Sequence, residues 1–269
     1  MRFGLSSFVY RYAIGGLAGS TVAPLTAVDV LERAAALGLG AVQFCENLPL
    51  ETLGGAEWEE LLGASRRLGV AIEVGTRGLE ASALLAHVDL AAKAGSRALR
   101  LVLGATDPDV ITEALRPVLM RCQEQEVMLA IENHFDLGSE QLVELIHRMD
   151  SRWLVVCLDT ANSVGLLERP METVTALMPY AAQVHLKDYA VEKASLAYRF
   201  TGRILGQGRL DVPAVLEAVA ATGRDPDLFL EQWMDPEGSP EATLAKEQEW
   251  VETGVRAARG YLAQRPLQA

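Results

Sequence analysis

The sequence has no long apolar run, few cysteines and a deficit of positive charge. None of its 269 residues fall in a stretch approaching the ~18 apolar residues of a membrane span. The opening Met1-Arg-Phe-Gly-Leu-Ser-Ser-Phe-Val-Tyr has no apolar core followed by a small-residue cleavage site, so the chain is expected to be soluble, unexported and cytoplasmic. The three cysteines, Cys45, Cys122 and Cys157, are an odd number without zinc-knuckle spacing, which excludes a disulfide or thiolate framework and suits reduced core thiols. A formal net charge of −12 argues against a nucleic-acid partner, because phosphate binding needs a basic stripe that releases counterions. The acidic runs Glu57, Glu59, Glu60 and Glu247, Glu249, Glu252 read as solvated helix faces. Low-complexity linkers are absent too, and half of the residues are hydrophobic; a single domain over residues 1–269 is expected.

What is present is a cadence. Short apolar runs end in, or are interrupted by, a polar residue at Glu46, Glu73, Arg100, Glu132, Asp159 and His185, at spacings of 26–32 residues, and again 46 residues later at Glu231. A strand, a helix and two turns take roughly 25–35 residues, so the series reads as successive βα units. Eight strands are expected, near 3–8, 41–45, 70–74, 98–103, 127–131, 154–158, 182–186 and 228–231. Helices between them carry start signals: Thr26 as an N-cap, Asp107-Pro108 as a cap with proline at the first helical position, and Asp211 before the helix that ends at Ala221. A long connection, Tyr189–Gly208, and a last helix near Pro240–Ala263 complete the chain. Strict alternation favours a parallel sheet, and eight repeats favour closure into a (β/α)8 TIM barrel.

Closure would bring Glu132, Asp159, His185 and Glu231, from strands five to eight, to one arc of the C-terminal rim. Three carboxylates and an imidazole suit one divalent ion, Mn²⁺ foremost, with Mg²⁺ or Co²⁺ as alternatives. The plainer reading is four unrelated rim acids and bases in salt bridges.

The segments Ile131-Glu-Asn-His, Leu158-Asp-Thr-Ala-Asn, Val184-His-Leu-Lys-Asp, Gly206-Gln-Gly-Arg-Leu-Asp and Leu230-Glu-Gln-Trp resemble, in that order, the sugar phosphate isomerase/epimerase superfamily of xylose isomerase-like barrels. The resemblance implies that Glu132, Asp159, His185 and Glu231 bind the metal and that Glu132 and Glu231 serve as acid and base on opposite sides of the substrate. It also implies a homodimer or homotetramer. Two positions depart from the ketose 3-epimerases of that superfamily: Asn162 stands where they carry a histidine and Val191 where they carry a substrate arginine.

The implied activity is that of a metal-dependent isomerase or epimerase of a small sugar, keto-sugar or cyclitol. It would abstract a proton next to a carbonyl and form a metal-bound enediolate. The alternative is a lyase on the same site: an inosose or dehydroshikimate-type dehydratase, or a 3-keto-glycoside eliminase. An endonuclease-like barrel for abasic DNA fits less well, since it needs a three-metal cluster and this chain has four histidines in all. Candidate substrate contacts are His134, Asn162, Lys187, Glu46, Glu73, Arg100 and Arg203. For Lys187 a role at the metal site competes with a local ion pair to Asp188, and for Arg203 a surface role competes with a contact made on loop closure. Trp233 is a candidate wall for a sugar ring, and Gly206-Gln-Gly208 is a phosphate cradle or, more simply, a turn.

Overall fold

The computed structural model describes residues 1–264, and its elements follow that cadence. β1 (Phe3–Ser6) leads through a 3-10 turn and the short α1 (Arg11–Gly15) to α2 (Ala27–Ala36). The alternation then runs β2 (Ala41–Phe44), α3 (Gly55–Leu68), β3 (Ala71–Arg77), α4 (Ala81–Ala94), β4 (Ala98–Val102), α5 (Pro108–Gln125), β5 (Met128–Glu132) and α6 (Ser139–Met149). It continues with β6 (Leu154–Asp159), α7 (Pro170–Leu177) and β7 (Ala181–Leu186). Two strands outside the barrel follow, β8 (Asp188–Ala194) and β9 (Ala197–Arg203), then α8 (Val212–Ala221), β10 (Asp227–Leu230) and α9 (Pro240–Ala263).

β1 to β7 and β10 pair in parallel and close into a barrel, with β10 sealing the gap between β7 and β1. Caps set the helix starts. Thr26 forms a reciprocal capping box with Asp29, Asp107 accepts from the amides of Asp109 and Val110, and Ser239 accepts from Ala242 ahead of α9. The apolar residues of alternate strand positions pack outward under the helices in one continuous core. The other face of each strand fills the barrel lumen, and here the filling is partly polar: Gln43, Glu73, Arg100, Gln183 and Asp227 are all buried. Period-two alternation places Gln183, His185 and Lys187 on one inward line of β7 and its exit.

Three expectations are corrected. Glu73 closes the run Val70-Ala-Ile, which predicts a place at the rim, but β3 runs on to Arg77 and Glu73 lies near its start. It accepts from Arg2 Nη2 (2.5 Å), Ser96 Oγ (2.9 Å) and the amides of Arg97 (3.1 Å) and Ala98 (3.2 Å), at the opposite, N-terminal mouth, so it does not touch a substrate at the rim. The Tyr189–Gly208 connection contains the antiparallel β8–β9 hairpin. Within it, Arg203 donates to Glu192, Thr201 Oγ1 and the Gly202 carbonyl. Finally, Glu247 is buried, not solvated, and accepts from the amides of Tyr12 and Ala13. No helix among the described residues is long and apolar enough to cross a membrane.

Candidate metal centre

Four strand ends build the site. Glu132 is the last residue of β5, Asp159 the last of β6, His185 lies one short of the end of β7, and Glu231 follows β10 directly. The β6–β7 register sets Asp159 beside His185, and β10 pairs Phe229 with His185, so Glu231 is delivered two residues higher. One ligand atom from each of Glu132, Asp159, His185 and Glu231 lies within 4.8 Å of the others. His185 Nδ1 is 3.2 Å from Glu231 Oε2, 3.6 Å from Glu132 Oε2 and 3.8 Å from Asp159 Oδ2.

These residues fit a bound cation. Asp159 Oδ2, His185 Nδ1 and Glu231 Oε2 are buried side-chain atoms that make no hydrogen bond. Buried polar atoms left without partners cost free energy, and three of them aimed at one point are what a metal ion satisfies. Burial opposes charge on His185, yet Cys157, Glu231, Glu132 and the nearby Asp159 carboxylate together hold its pKa well above the ordinary value. A ring so crowded by carboxylates attracts positive charge, whether carried by a proton or by a metal ion. The hard-oxygen-plus-imidazole set is that of Mn²⁺, Mg²⁺ or Co²⁺. Cys157 Sγ also comes within 3.3 Å of His185 Nε2 and, with Glu132 and His185, forms a second group whose ligand atoms lie within 4.8 Å of one another.

Around the four ligands stands a ring of donors. Lys187 Nζ lies 2.8 Å from Glu231 Oε1 and 3.3 Å from Asp159 Oδ2, above the Trp233 ring at 5.1 Å, so the lysine serves the cluster and not Asp188. Burial opposes its charge, but Asp159, Glu231 and Glu132 raise its pKa above the usual lysine range. Conversely, burial pushes Glu231 up while Lys187, His185 and Arg100 pull it further down, leaving it well below the usual carboxylate range. Arg100 Nε donates to Glu132 Oε2 (2.5 Å) and its Nη1 to Glu46 Oε2 (2.7 Å). Asn162 Nδ2 donates to Glu132 Oε1 (3.0 Å), its amide donates to Asp159 Oδ1 (2.8 Å), and its Oδ1 accepts from Lys187 Nζ (3.2 Å).

Of the expected substrate contacts, Arg100, Asn162 and Lys187 therefore touch the cluster directly. Glu46 anchors Arg100 and faces Arg77 Nε at 3.6 Å. His134 is half-buried just beyond β5 with its ring edge-on to Phe135, and burial holds its pKa below the ordinary histidine value.

A family model described as xylose isomerase-like TIM barrel matches residues 31–254. The chain is 29% identical over 257 residues to 3-oxo-isoapionate decarboxylase of Pectobacterium atrosepticum, covering 93% of this chain and 92% of that one. Among solved structures, the xylose isomerase domain protein of Planctomyces limnophilus superposes with a TM-score of 0.73 at 15% identity, over 97% of this chain and 96% of that one. A xylose isomerase-like TIM barrel protein of Mycobacterium smegmatis in complex with magnesium does so with a TM-score of 0.71 at 15% identity, over 95% and 97%. At such identities the superpositions speak for the fold, whereas the family model spans most of the sequence. With its closed eight-stranded parallel barrel, this chain belongs to the xylose isomerase-like TIM barrel family.

Proposed function

We propose that this chain is a divalent-metal-dependent lyase that removes a carboxylate as CO₂ from a small 3-oxo sugar acid, with Mn²⁺ the preferred ion and Mg²⁺ or Co²⁺ able to replace it. A cation held by Glu132, Asp159, His185 and Glu231 would stabilise the negative charge that develops on a carbonyl oxygen when a bond next to it breaks.

The observation that carries the reading is the pairing of each glutamate with its own donor. A two-base epimerase needs one carboxyl group to give a proton and another to take one. Here Glu231 is bonded to Lys187 and held strongly acidic, and Glu132 already accepts at both oxygens, from Arg100 and Asn162. Glu231 is thus held as the carboxylate, and Glu132 has a donor on each oxygen. Loss of CO₂ needs no base: the carbon–carbon bond breaks, its electron pair passes into the neighbouring carbonyl, and a proton then returns to the carbon. Lys187 Nζ is the donor we assign to that last step, regaining its proton from water. Asn162 and Arg100 hold the carboxylates in place. The relative named for decarboxylation of 3-oxo-isoapionate supports the same reading.

The isomerase or epimerase reading, and with it the dehydratase, is favoured by one observation: Glu132 and Glu231 come from β5 and the exit of β10, strands that are not neighbours in the barrel, as proton transfer on two faces of a substrate requires. In all of these readings the partner is a small sugar-like molecule, not a nucleic acid. Incubation of the Mn²⁺-loaded protein in deuterated buffer with 3-oxo sugar acids, ketoses and inososes separates them by NMR and CO₂ detection. Decarboxylation predicts CO₂ and a product one carbon shorter carrying one new deuteron. A product of unchanged formula with deuterium at a stereocentre, or loss of water, would overturn it.

A further inference from the structure

The interior of the barrel holds a line of side chains that links the cluster at one mouth to the ion pairs at the other. His185 Nε2 lies 2.7 Å from Gln43 Oε1. Gln43 Nε2 donates to Gln183 Oε1 across the lumen (3.0 Å), and Gln183 Nε2 donates to Glu73 Oε2 (3.2 Å). Glu73 is in turn fixed by Arg2, Ser96 and two backbone amides. His185, Gln43, Gln183 and Glu73 are each at most 1% exposed. Two glutamines replace apolar filling in a lumen that side chains normally pack dry, and burying their amides is tolerable only because both ends of each are bonded.

The line has a direction, and the direction follows from the chemistry of its far end. An ionised carboxylate can only accept, so Gln183 must turn its amide nitrogen to Glu73 and its oxygen to Gln43. Gln43 must then present its nitrogen to Gln183 and its oxygen to His185. Facing an amide oxygen, His185 Nε2 must carry hydrogen. In the neutral ring that leaves the lone pair on Nδ1, the buried atom that makes no hydrogen bond and points into the carboxylate cluster. Two thiols lie near this junction, Cys157 Sγ at 3.3 Å from the same ring nitrogen and Cys45 Sγ at 3.6 Å from Gln43 Oε1. Both are weak partners, and the 2.7 Å contact to the amide is the shorter.

We infer that Gln43 is a positioning residue that sets the tautomer and ring orientation of the metal-binding histidine, and that Gln183 and Glu73, reaching to the opposite mouth of the barrel, set the orientation of Gln43. This rests on the metal reading above and adds to it residues that touch neither metal nor substrate. Partners of this kind on a metal histidine typically change metal affinity roughly 10–100-fold when removed.

The test is calorimetric titration of the metal-free protein with Mn²⁺, with thermal melting to establish folding. Gln43→Met keeps the shape of the side chain and removes the acceptor; it should weaken Mn²⁺ binding roughly 10–100-fold. Gln43→Glu combined with Gln183→Met keeps an acceptor facing Nε2 in either rotation of the carboxylate, without setting it against Gln183 Oε1, and should restore most of the affinity, which a merely structural role would not predict. In the Mg²⁺-loaded protein labelled with ¹⁵N-histidine, the Nε2-bound proton of His185 should resonate downfield as a hydrogen-bonded N–H in the wild type and move upfield in Gln43→Met. Should Gln43→Met fail to fold, Gln183→Met leaves Gln43 present but free to rotate, and it too should lower affinity. Equal Mn²⁺ affinity in the wild type and the folded methionine variant would overturn this inference alone. No Mn²⁺ binding by the wild type would overturn the metal reading itself, and this inference with it.

Discussion

Glu247 accepts hydrogen bonds from the amides of Tyr12 (2.8 Å) and Ala13 (2.9 Å) with 2% of its surface exposed, so one acid from α9 fastens α1 to the wall of the barrel. Burial pushes its pKa above the 4.5 of a free glutamate, against the pull of the two amides. The sign of the effect on stability follows. Below about pH 4.5 the group is protonated in folded and unfolded chains alike, and its contribution is fully present; as pH rises through the higher folded value, ionisation costs more in the fold and the contribution is lost. Glu247→Gln cannot ionise. Urea midpoints measured between about pH 4 and 7 should show the wild type losing stability relative to Glu247→Gln as pH rises, and a constant difference would contradict the assignment. The same residue marks a limit of reading from sequence. Glu247, Glu249 and Glu252 look alike in the chain, but only the packing of α1 on α9 distinguishes the buried one. Glu73 and Glu132 present the same difficulty: both end apolar runs, and the depth of a residue in a barrel depends on where its strand begins. Gln43 and Gln183 did leave a signal, as polar residues inside the runs Ala41-Val-Gln-Phe-Cys and Ala182-Gln-Val, yet nothing in one strand states that it faces the other across a lumen.

At the level of elements, the stretch after β7 divides its work between neighbours. Lys187 turns inward to Glu231, while Asp188 accepts from the amides of Gly206 (2.8 Å), Gly208 (2.9 Å) and Leu210 (2.9 Å). The Gly206-Gln-Gly208 segment is thus occupied by an anion of the protein's own, which makes it a turn and not a phosphate cradle. A Cβ on Gly208 would stand 2.2 Å from Asp188 Oδ1 and 2.4 Å from the Tyr189 carbonyl. Gly208→Ala should therefore cost about 1–3 kcal/mol by crowding a packed site. Because the strain falls on the anchor of the β8–β9 hairpin, proteolysis of the folded protein should cut first there; a variant as stable and as resistant as the wild type would contradict this. Helix ends were legible because a cap is local: Thr26, Asp107 and Asp211 each bond amides within three residues. The hairpin was less so. Its alternation, Tyr189 and Val191 against Tyr198 and Phe200, is carried by strands that pair only with each other, outside the repeating unit that organised the rest of the chain.

For the whole molecule, the curvature of the barrel wall is what turns a sequence pattern into a site. Glu132 and Glu231 are 99 residues apart in the chain, and the consecutive strands β5, β6, β7 and β10, curved into one barrel wall, bring their carboxylates onto one histidine. The regular spacing made this barrel legible, since eight βα units have few ways to bury both faces of a parallel sheet. Arg100, Asn162 and Lys187 then complete a shell that leaves three buried atoms directed at one point. The most direct measurement is anomalous diffraction from crystals of the metal-free protein soaked in Mn²⁺. A single strong peak per chain, bonded to Glu132, Asp159 Oδ2, His185 Nδ1 and Glu231 Oε2, is the predicted result. A map with no peak there, or with manganese held only elsewhere on the chain, would contradict it.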